Sequence, residues 1–594
     1  MRKPLLCALL ITALSPLAAQ ETGGSWGQPA NSTQPASGQN QTAGQQNPNQ
    51  QPAERSAIHG TVLNAATGEP IARALVSVEG EASLVQLTDG EGHFEFEGLT
   101  TGEHVLGARK PGYRGGDNLD GDVVANLPGG EGENRSVLVT DQTPEIVFQL
   151  TPNAAIRGHV DLSTGDPAEG ILLQLIERRI VDGRGSWTVA DTTRTNSSGN
   201  YRFSGLAAGS YKVQTMPSME AESLGAASPA ANAPLLVQYG FASVYYPESR
   251  DFASAGSIQV RAGEEAQANF QLRLEAFQPV LARVAREPGA AAQQDTPQSG
   301  RVELASVADE SGNTAEYPLE FNSGKRTLTT HLPDGNFNLN LISFSGSGLF
   351  NLDRMNETRM GTVGFTVSGH AITDLMLAPG PAPPIRVHVN LPQSAEQQSN
   401  QGGRQSLPVF VTFTHADGPA QELAATGAPV QNTITFLPGG AGRYWASATI
   451  DRGGVCVGSF MAGGADLAHE PLLLNPSIAT PNLELTLRDD CAKLNLSLPY
   501  GAAVERPGAQ ATYTVFAVPD FETTATVTPS TMRAGSGATV TLESLTPGSY
   551  HIYVFTQAVS LEYHNAAALQ NLSGQQVTLA PSSSTDLVLE VPQP

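Results

Sequence analysis

The residues whose types could do chemistry are a few histidines, one acidic loop, one serine motif and a pair of cysteines. His59, His93 and His104 fall in one stretch, and three imidazoles brought together would suit zinc. Each lies on or beside a predicted strand, where a partly wet histidine is ordinary, so the pattern favours no metal site. Asp117-Asn118-Leu119-Asp120-Gly121-Asp122 groups several oxygen donors in one loop, a composition that suits calcium. It lacks the downstream glutamate of an EF-hand, and a solvated acidic loop is the plainer reading. Gly23-Gly24-Ser25-Trp26-Gly27 matches the G-x-S-x-G pattern of serine hydrolases. That pattern has catalytic meaning only on a strand-to-helix elbow, and this copy stands in a polar tail. The 11 histidines are scattered, with no H-E-x-x-H or comparable zinc set. A hydrolase needs a nucleophile, a base and a shaped cleft. The sequence offers no such constellation, so no enzyme, cofactor or metal is predicted.

The elements that would position these groups are strands. Within residues 88–106, Asp89-Gly90-Glu91-Gly92 is turn chemistry. Phe94 and Phe96 then alternate with Glu95 and Glu97, which marks a strand with one apolar face. Gly98 ends the strand, Leu99 plugs a corner, Gly102 turns the chain, and His104-Val105-Leu106 starts the way back. Residues 195–213 repeat the stretch, with Tyr201, Phe203, Gly205, Leu206, Gly209 and Tyr211 in matching places.

The corner itself, Leu-x-x-Gly followed by a ring, is found five times. The set is Leu99/Gly102/His104, Leu206/Gly209/Tyr211, Leu332/Gly335/Phe337, Leu437/Gly440/Tyr444 and Leu545/Gly548/Tyr550, the fourth with two extra residues before its ring. The corners recur about every 105–126 residues, close to one small β-sandwich of roughly 100 residues. Exit residues Leu150, Leu274, Leu377, Leu487 and Val591 give the same division. The expected fold class is all-β: a tandem array of about five Ig-like or prealbumin-like β-sandwiches at 58–151, 152–276, 277–379, 380–488 and 489–594. In the second, residues 182–186 and 218–234 read as long loops. The third lacks a T-G-x-P turn, and its Leu328 is out of register with Phe96 and Phe203.

At 594 residues the chain is too long for one core. Sixty-one glycines and 41 prolines fit many turns and short strands. A net charge of −24 argues against a nucleic-acid partner, since no basic stripe exists to replace counterions. The first 20 residues, a basic start, an apolar run and a small-residue end, read as a secretory signal peptide cleaved after Ala19 or Gln20. Residues 21–57 are rich in Gln, Asn, Gly and Pro and read as a disordered linker. No later stretch reaches about 18 uninterrupted apolar residues, so no transmembrane segment is expected in the mature chain. Export makes Cys456 and Cys491 disulfide candidates, two buried free thiols being the alternative.

The run Ile58-His59-Gly60-Thr61-Val62, Thr67-Gly68-Glu69-Pro70, then Phe94, Phe96, Gly98, Leu99 and Gly102 resembles the carboxypeptidase regulatory-like family. Ile156-Arg157-Gly158-His159-Val160 and Thr164-Gly165-Asp166-Pro167 carry the same resemblance into the second domain. It implies a transthyretin-like sandwich and no peptidase activity, because the zinc catalytic part of such carboxypeptidases is not present. Related starch-binding-like sandwiches seat sugars on exposed rings, which makes Trp187 and Trp445 candidate carbohydrate platforms. Tyr444 and Trp445 are adjacent on a strand, so they point to opposite faces. If Tyr444 is core, Trp445 faces outward or toward a neighbouring domain. The expected role is a non-catalytic, envelope-associated or secreted scaffold, periplasmic or at the outer surface, with a protein or polysaccharide partner. A carbohydrate-binding protein and an accessory to an envelope enzyme or transporter are the rivals.

Overall fold

The alternation of His93–Thr100 becomes a strand in which Phe94 and Phe96 are buried while Glu95 and Glu97 face water. The computed structural model describes residues 55–79, 84–115, 132–140, 143, 145–219, 236–285, 301–309, 314–315, 317–345, 359–381, 385–392, 408–419, 423–427, 432–436, 442–450, 453–475, 480–499, 512–533, 539–556 and 559–591. Strands dominate them, with one short helix, Ala566–Leu569. Among the described residues no helix is long and apolar enough to cross a membrane. The serine motif, the acidic loop 117–122, the signal peptide and nearly all of the expected linker lie outside the described residues.

The strands form a tandem of five sandwiches, each with its own core. In the first, one sheet runs His93–Thr100, Arg55–Asn64, Ile146–Pro152, Tyr113–Arg114, and it faces Val85–Leu87, Leu75–Val78, Gly102–Arg109, Glu133–Val139. The opening strand Arg55–Asn64 lies antiparallel to the corner strand and parallel to the exit strand. The same pairing recurs four times. Ala154–Leu162 lies between Asn200–Leu206 and the short strands Glu265–Gln267 and Phe270–Leu272. Leu274–Val284 lies between Thr327–Leu332 and Ile372–Leu377. Ile385–Asn390 lies between Thr433–Phe436 and Leu483–Arg488, and Ala492–Ser497 between Thr539–Leu545 and Ser584–Val588.

The third copy shares this topology, and its odd register has a local cause. In the first sandwich Glu97 and Gly98 together oppose Ala57, with Gly98 at φ +77°. Ser204 and Gly205 do the same in the second, Gly205 at φ +74°, and Glu543 and Ser544 in the fifth, Ser544 at φ +62°. This is a β-bulge, one extra residue held at left-handed angles. The third corner strand pairs from Leu332 to Thr327 without a shift. Leu328 and Leu332 are therefore evenly spaced, and both are buried.

The ring after the corner glycine also has a cause. Tyr211 donates its hydroxyl to the Ala207 carbonyl at 2.9 Å and Tyr550 to the Thr546 carbonyl at 2.6 Å; His104 Nε2 lies 2.9 Å from the Thr100 carbonyl. Each ring satisfies a backbone acceptor left at the bend. Phe337 has no polar atom and packs on Tyr317 and Phe365 instead.

The corner glycines do not all do the same work. Gly102 and Gly335 sit at φ +146° and +157°. In the fourth sandwich Leu437 and Gly440 lie outside the described residues. The glycine two places before Tyr444 is Gly442, at φ +152°, and it takes the place expected for Gly440. Gly209 and Gly548 differ from these in having no positive φ. Gly209 already opens the strand Gly209–Thr215 opposite Val260, and Gly548 opens Gly548–Phe555 opposite Leu579. At Gly548 the demand is for space. A side-chain carbon there would lie 2.4 Å from the Phe521 ring, which stands edge-to-face with Tyr550 at 5.6 Å.

Three expected boundaries move. The first strand begins at Arg55, so the last residues assigned to the linker belong to the sandwich, with Ser56 buried opposite Leu99. Position 276/277 falls inside the strand Leu274–Val284. Leu274, half-exposed at 50%, opens the third sandwich, and the second ends on buried Leu272. Strand Ser218–Met219, within a stretch read as loop in the second sandwich, pairs with Gln238–Phe241, which extends the sheet of the third through Gln238 opposite Phe277. Gly380–Pro381 pairs back onto Arg359–Val367, so the third sandwich also reaches past 379.

Candidate functional site

Ionisable side chains from distant segments meet where the second sandwich touches the fourth and fifth. The hairpin that makes this contact joins Leu172–Val181 to Arg184–Arg194. Residues 182–186 were expected to loop out; instead the ladder continues through Arg179 opposite Ser186 to Val181 opposite Arg184. Asp182 and Gly183 alone turn the chain, at φ +47° and +70°. Two positive angles in a two-residue turn match the twist of a hairpin. A side chain at Gly183 would meet the Tyr563 ring at 2.4 Å, so the tip is bare where the fifth sandwich lies on it.

Glu562 Oε1 accepts from Arg178 Nη2 at 2.6 Å and from the Gly185 amide at 3.2 Å. The His564 amide donates to the Gly183 carbonyl at 3.0 Å. From the fourth sandwich, Ser447 donates to the Asp182 carboxylate. The Arg184 guanidinium lies 3.8 Å from the centre of the Trp445 ring, a desolvated cation–π contact. The fourth and fifth sandwiches are themselves tied. The Ala448 amide donates to the Thr524 carbonyl at 2.8 Å, Thr546 Oγ1 to the Val457 carbonyl at 2.8 Å, and Cys456 is bonded to Cys491 with Cα atoms 5.9 Å apart.

Arg184, His415, Trp445, Thr524 and His564 surround a cavity of about 20 Å³, room for about one water. Burial holds His415 below the usual imidazole range, outweighing the nearby Asp417 carboxylate. Burial, helped by Arg184, pushes His564 down to about 4. Burial also lowers Arg184, against the pull of Glu522. Among the described residues, His415 Nε2 and Thr524 Oγ1 have no hydrogen-bond partner. The arrangement holds three sandwiches together. Its carboxylates are bonded to Arg178 and Ser447 and its Arg184 lies on Trp445, and the space left beside them is that of about one water.

The residues singled out from sequence are mostly elsewhere. Trp445 is on the junction, with a ring face taken by Arg184. Trp187 stands edge-to-face with Phe252 at 5.8 Å, and Lys212 Nζ lies 5.1 Å from its centre. The two tryptophans lie in different sandwiches and each has a cation of the chain over its ring, so they do not form a shared open platform. His93 Nδ1 lies 3.1 Å from Thr61 Oγ1, His104 contacts Thr100, and His59 is exposed. Among the described residues no group of three or more His, Cys, Asp and Glu could hold a metal ion. Sequence reading missed Arg178, Arg184, Glu562 and His564. The dipeptide Asp182-Gly183 between apolar runs was the available signal for the hairpin, but nothing local names its partner.

The opening strands of the first two sandwiches share a close backbone approach. A side-chain carbon at Gly60 would lie 2.1 Å from the Ile146 carbonyl oxygen and 2.5 Å from the Phe94 ring. At Gly158 it would lie 1.7 Å from the Ala268 oxygen and 2.7 Å from the Tyr201 ring. The third residue of I-x-G-x-V must therefore be glycine so that a ring can lie on bare backbone.

Residues 57–151 match the family model of the carboxypeptidase regulatory-like domain. This regulatory-like domain is the first sandwich described above. Colossin-A of Dictyostelium discoideum is 31% identical over 140 residues, 23% of this chain and 1% of that protein. The match thus spans a very small part of that relative's length. Among solved structures, the Bacillus anthracis TIE protein aligns over 72% of this chain and 67% of its own, at 13% identity and a TM-score of 0.15. A streptococcal ancillary pilin aligns over 55% of this chain and 100% of its own, at 12% identity and a TM-score of 0.18. GBS52, the minor pilin of Streptococcus agalactiae, aligns over 40% and 100%, at 14% identity and a TM-score of 0.17.

Proposed function

We propose that this chain is a non-catalytic exported scaffold, envelope-associated or secreted, whose sandwiches present surfaces to a protein or polysaccharide partner. The observation that carries the reading is the junction. There Arg, Asp and Glu side chains from the second and fifth sandwiches converge, yet Glu562 is held by Arg178 and Asp182 by Ser447 of the fourth, around a space of about 20 Å³. A catalytic centre keeps its acid and base free to reach a reacting atom. A regulatory-like domain at 57–151 fits a modular, non-catalytic protein. Carbohydrate binding at Trp187 and Trp445 draws less support, since Lys212 and Arg184 lie over those rings.

Crosslinking in intact native cells, followed by purification and N-terminal sequencing, tests the proposal. The expected product begins near Glu21, lies outside the cytosol and carries a stoichiometric envelope partner. A cytosolic protein that retains Met1, or one purified without any crosslinked partner, would overturn it.

A further inference from the structure

His415 of the fourth sandwich, His564 of the fifth and Arg184 of the second line one cavity. We propose that this junction is an acid-released clasp: protonating the two histidines around Arg184 frees the second sandwich's hairpin and opens the closed ring formed by sandwiches two to five.

Three cations would then share a space that holds about one water, where little solvent is available to screen them. The facing carboxylates are largely occupied. Glu562 is bonded to Arg178 and to the Gly185 amide, Asp182 to Ser447, and Asp417, beside His415, to Arg443. Glu522 Oε2 lies 3.6 Å from His564 Nδ1, but its side chain is 52% exposed and weakly placed to offset a buried charge. Tyr563 packs against His564 with ring centres 4.8 Å apart and contributes no charge at these pH values. His415 Nε2 makes no hydrogen bond among the described residues in the closed form, and although the Gly418 backbone and the Asp309 carboxylate also favour its cation, burial outweighs them.

The sign follows from the geometry. Both histidines are held below the ordinary imidazole value while the ring is closed. The open form therefore binds protons more tightly, and acid favours it. For His564 the loss of closed-state stability begins as pH falls through about 6.5 and is complete below about 4. That interval corresponds to a fall of roughly 300-fold in the closed-to-open ratio from this residue alone.

Small-angle X-ray scattering of the full mature chain between pH 7.5 and 4, at fixed ionic strength, tests the clasp. The maximum dimension should rise reversibly on acidification, with the far-UV dichroism of the strands unchanged. The double variant His415→Gln/His564→Gln should keep its neutral-pH dimensions at a pH where the wild type has opened. If that variant does not fold, hydrogen exchange at the His564 ring carbon in the wild-type chain is the second measurement, and it should report titration well below the ordinary histidine value. A wild type that stays closed to pH 4, a double variant that follows the wild-type profile, or an ordinary titration of His564 would each overturn the proposal.

Discussion

Arg178 Nη2 lies 2.6 Å from Glu562 Oε1, although 384 residues separate them in sequence. The pair is partly buried, with side chains 35% and 16% exposed. It brings the fifth sandwich back onto the second, so the tandem closes on itself instead of running out as a line. The path from second to third is also shared, because strand Gln238–Phe241 is hydrogen-bonded into the third sandwich's sheet. Sandwiches two to five therefore constrain one another.

Reversing one charge at this contact should open the ring at neutral pH. Arg178→Glu and Glu562→Arg are each expected to increase the maximum dimension in X-ray scattering. The double reversal should restore much of the closed form, with a coupling of about 1 kcal/mol for a partly exposed pair. Unchanged dimensions in both single variants would show that the pair does not hold the ring.

Leu99 is 1% exposed at the first corner. Leu99→Ala should weaken the first sandwich by about 2–5 kcal/mol through lost burial and an unfilled cavity. Native-state hydrogen exchange, read peptide by peptide in the full chain, localises the effect to residues 55–152. A protection pattern equal to wild type there would remove Leu99 from the core.

Two glycines of the second sandwich should respond differently. Gly205 sits at φ +74° with nothing within 4 Å of an added carbon, so Gly205→Ala costs about 1–2 kcal/mol of backbone strain alone. Gly205→Asn should recover part of this, because asparagine tolerates left-handed angles. Gly158 faces the Ala268 oxygen and the Tyr201 ring, so Gly158→Ala should cost about 3 kcal/mol or more, and Gly158→Asn more again. The same order of loss for alanine and asparagine at both sites would refute the distinction.

The disulfide joins Cys456, which opens a fourth-sandwich strand, to Cys491 in the link before Ala492–Ser497. Cys456→Ser should cost about 2–4 kcal/mol. The exchange protection of residues 453–497 should fall with it, and the closed ring should loosen in scattering. Equal protection and equal dimensions would leave the bridge without a role at this link.

Tyr550→Phe deletes the hydroxyl that donates to the Thr546 carbonyl, with the ring kept in place. A loss of about 1 kcal/mol in the fifth sandwich is expected. Local exchange at residues 539–555 is the measurement, and a gain in protection would show that the carbonyl has another donor.

The five-part division was legible because it rests on local, periodic signals. A strand with one buried face must alternate, and Phe94/Phe96 and Tyr201/Phe203 do so. A bend that leaves a carbonyl unpaired selects a polar ring, and His104, Tyr211 and Tyr550 supply one. The third copy misled for an equally local reason: without a bulge, Leu328 takes the inward place that Phe96 and Phe203 reach by a different spacing. The corner glycines look alike in sequence but meet different needs, a positive angle at Gly102 and a neighbouring ring at Gly548. Boundaries were harder, since Leu274–Val284 runs as one continuous strand across the expected division at 276/277. The closure left no such trace. Arg178, Arg184, Glu562 and His564 belong to no period and no motif in the sequence. Only the tertiary arrangement set them together, because a few polar contacts between already folded modules place no pattern on the chain around them. Sequence alone determined the modules; their closure into a ring was decided in three dimensions.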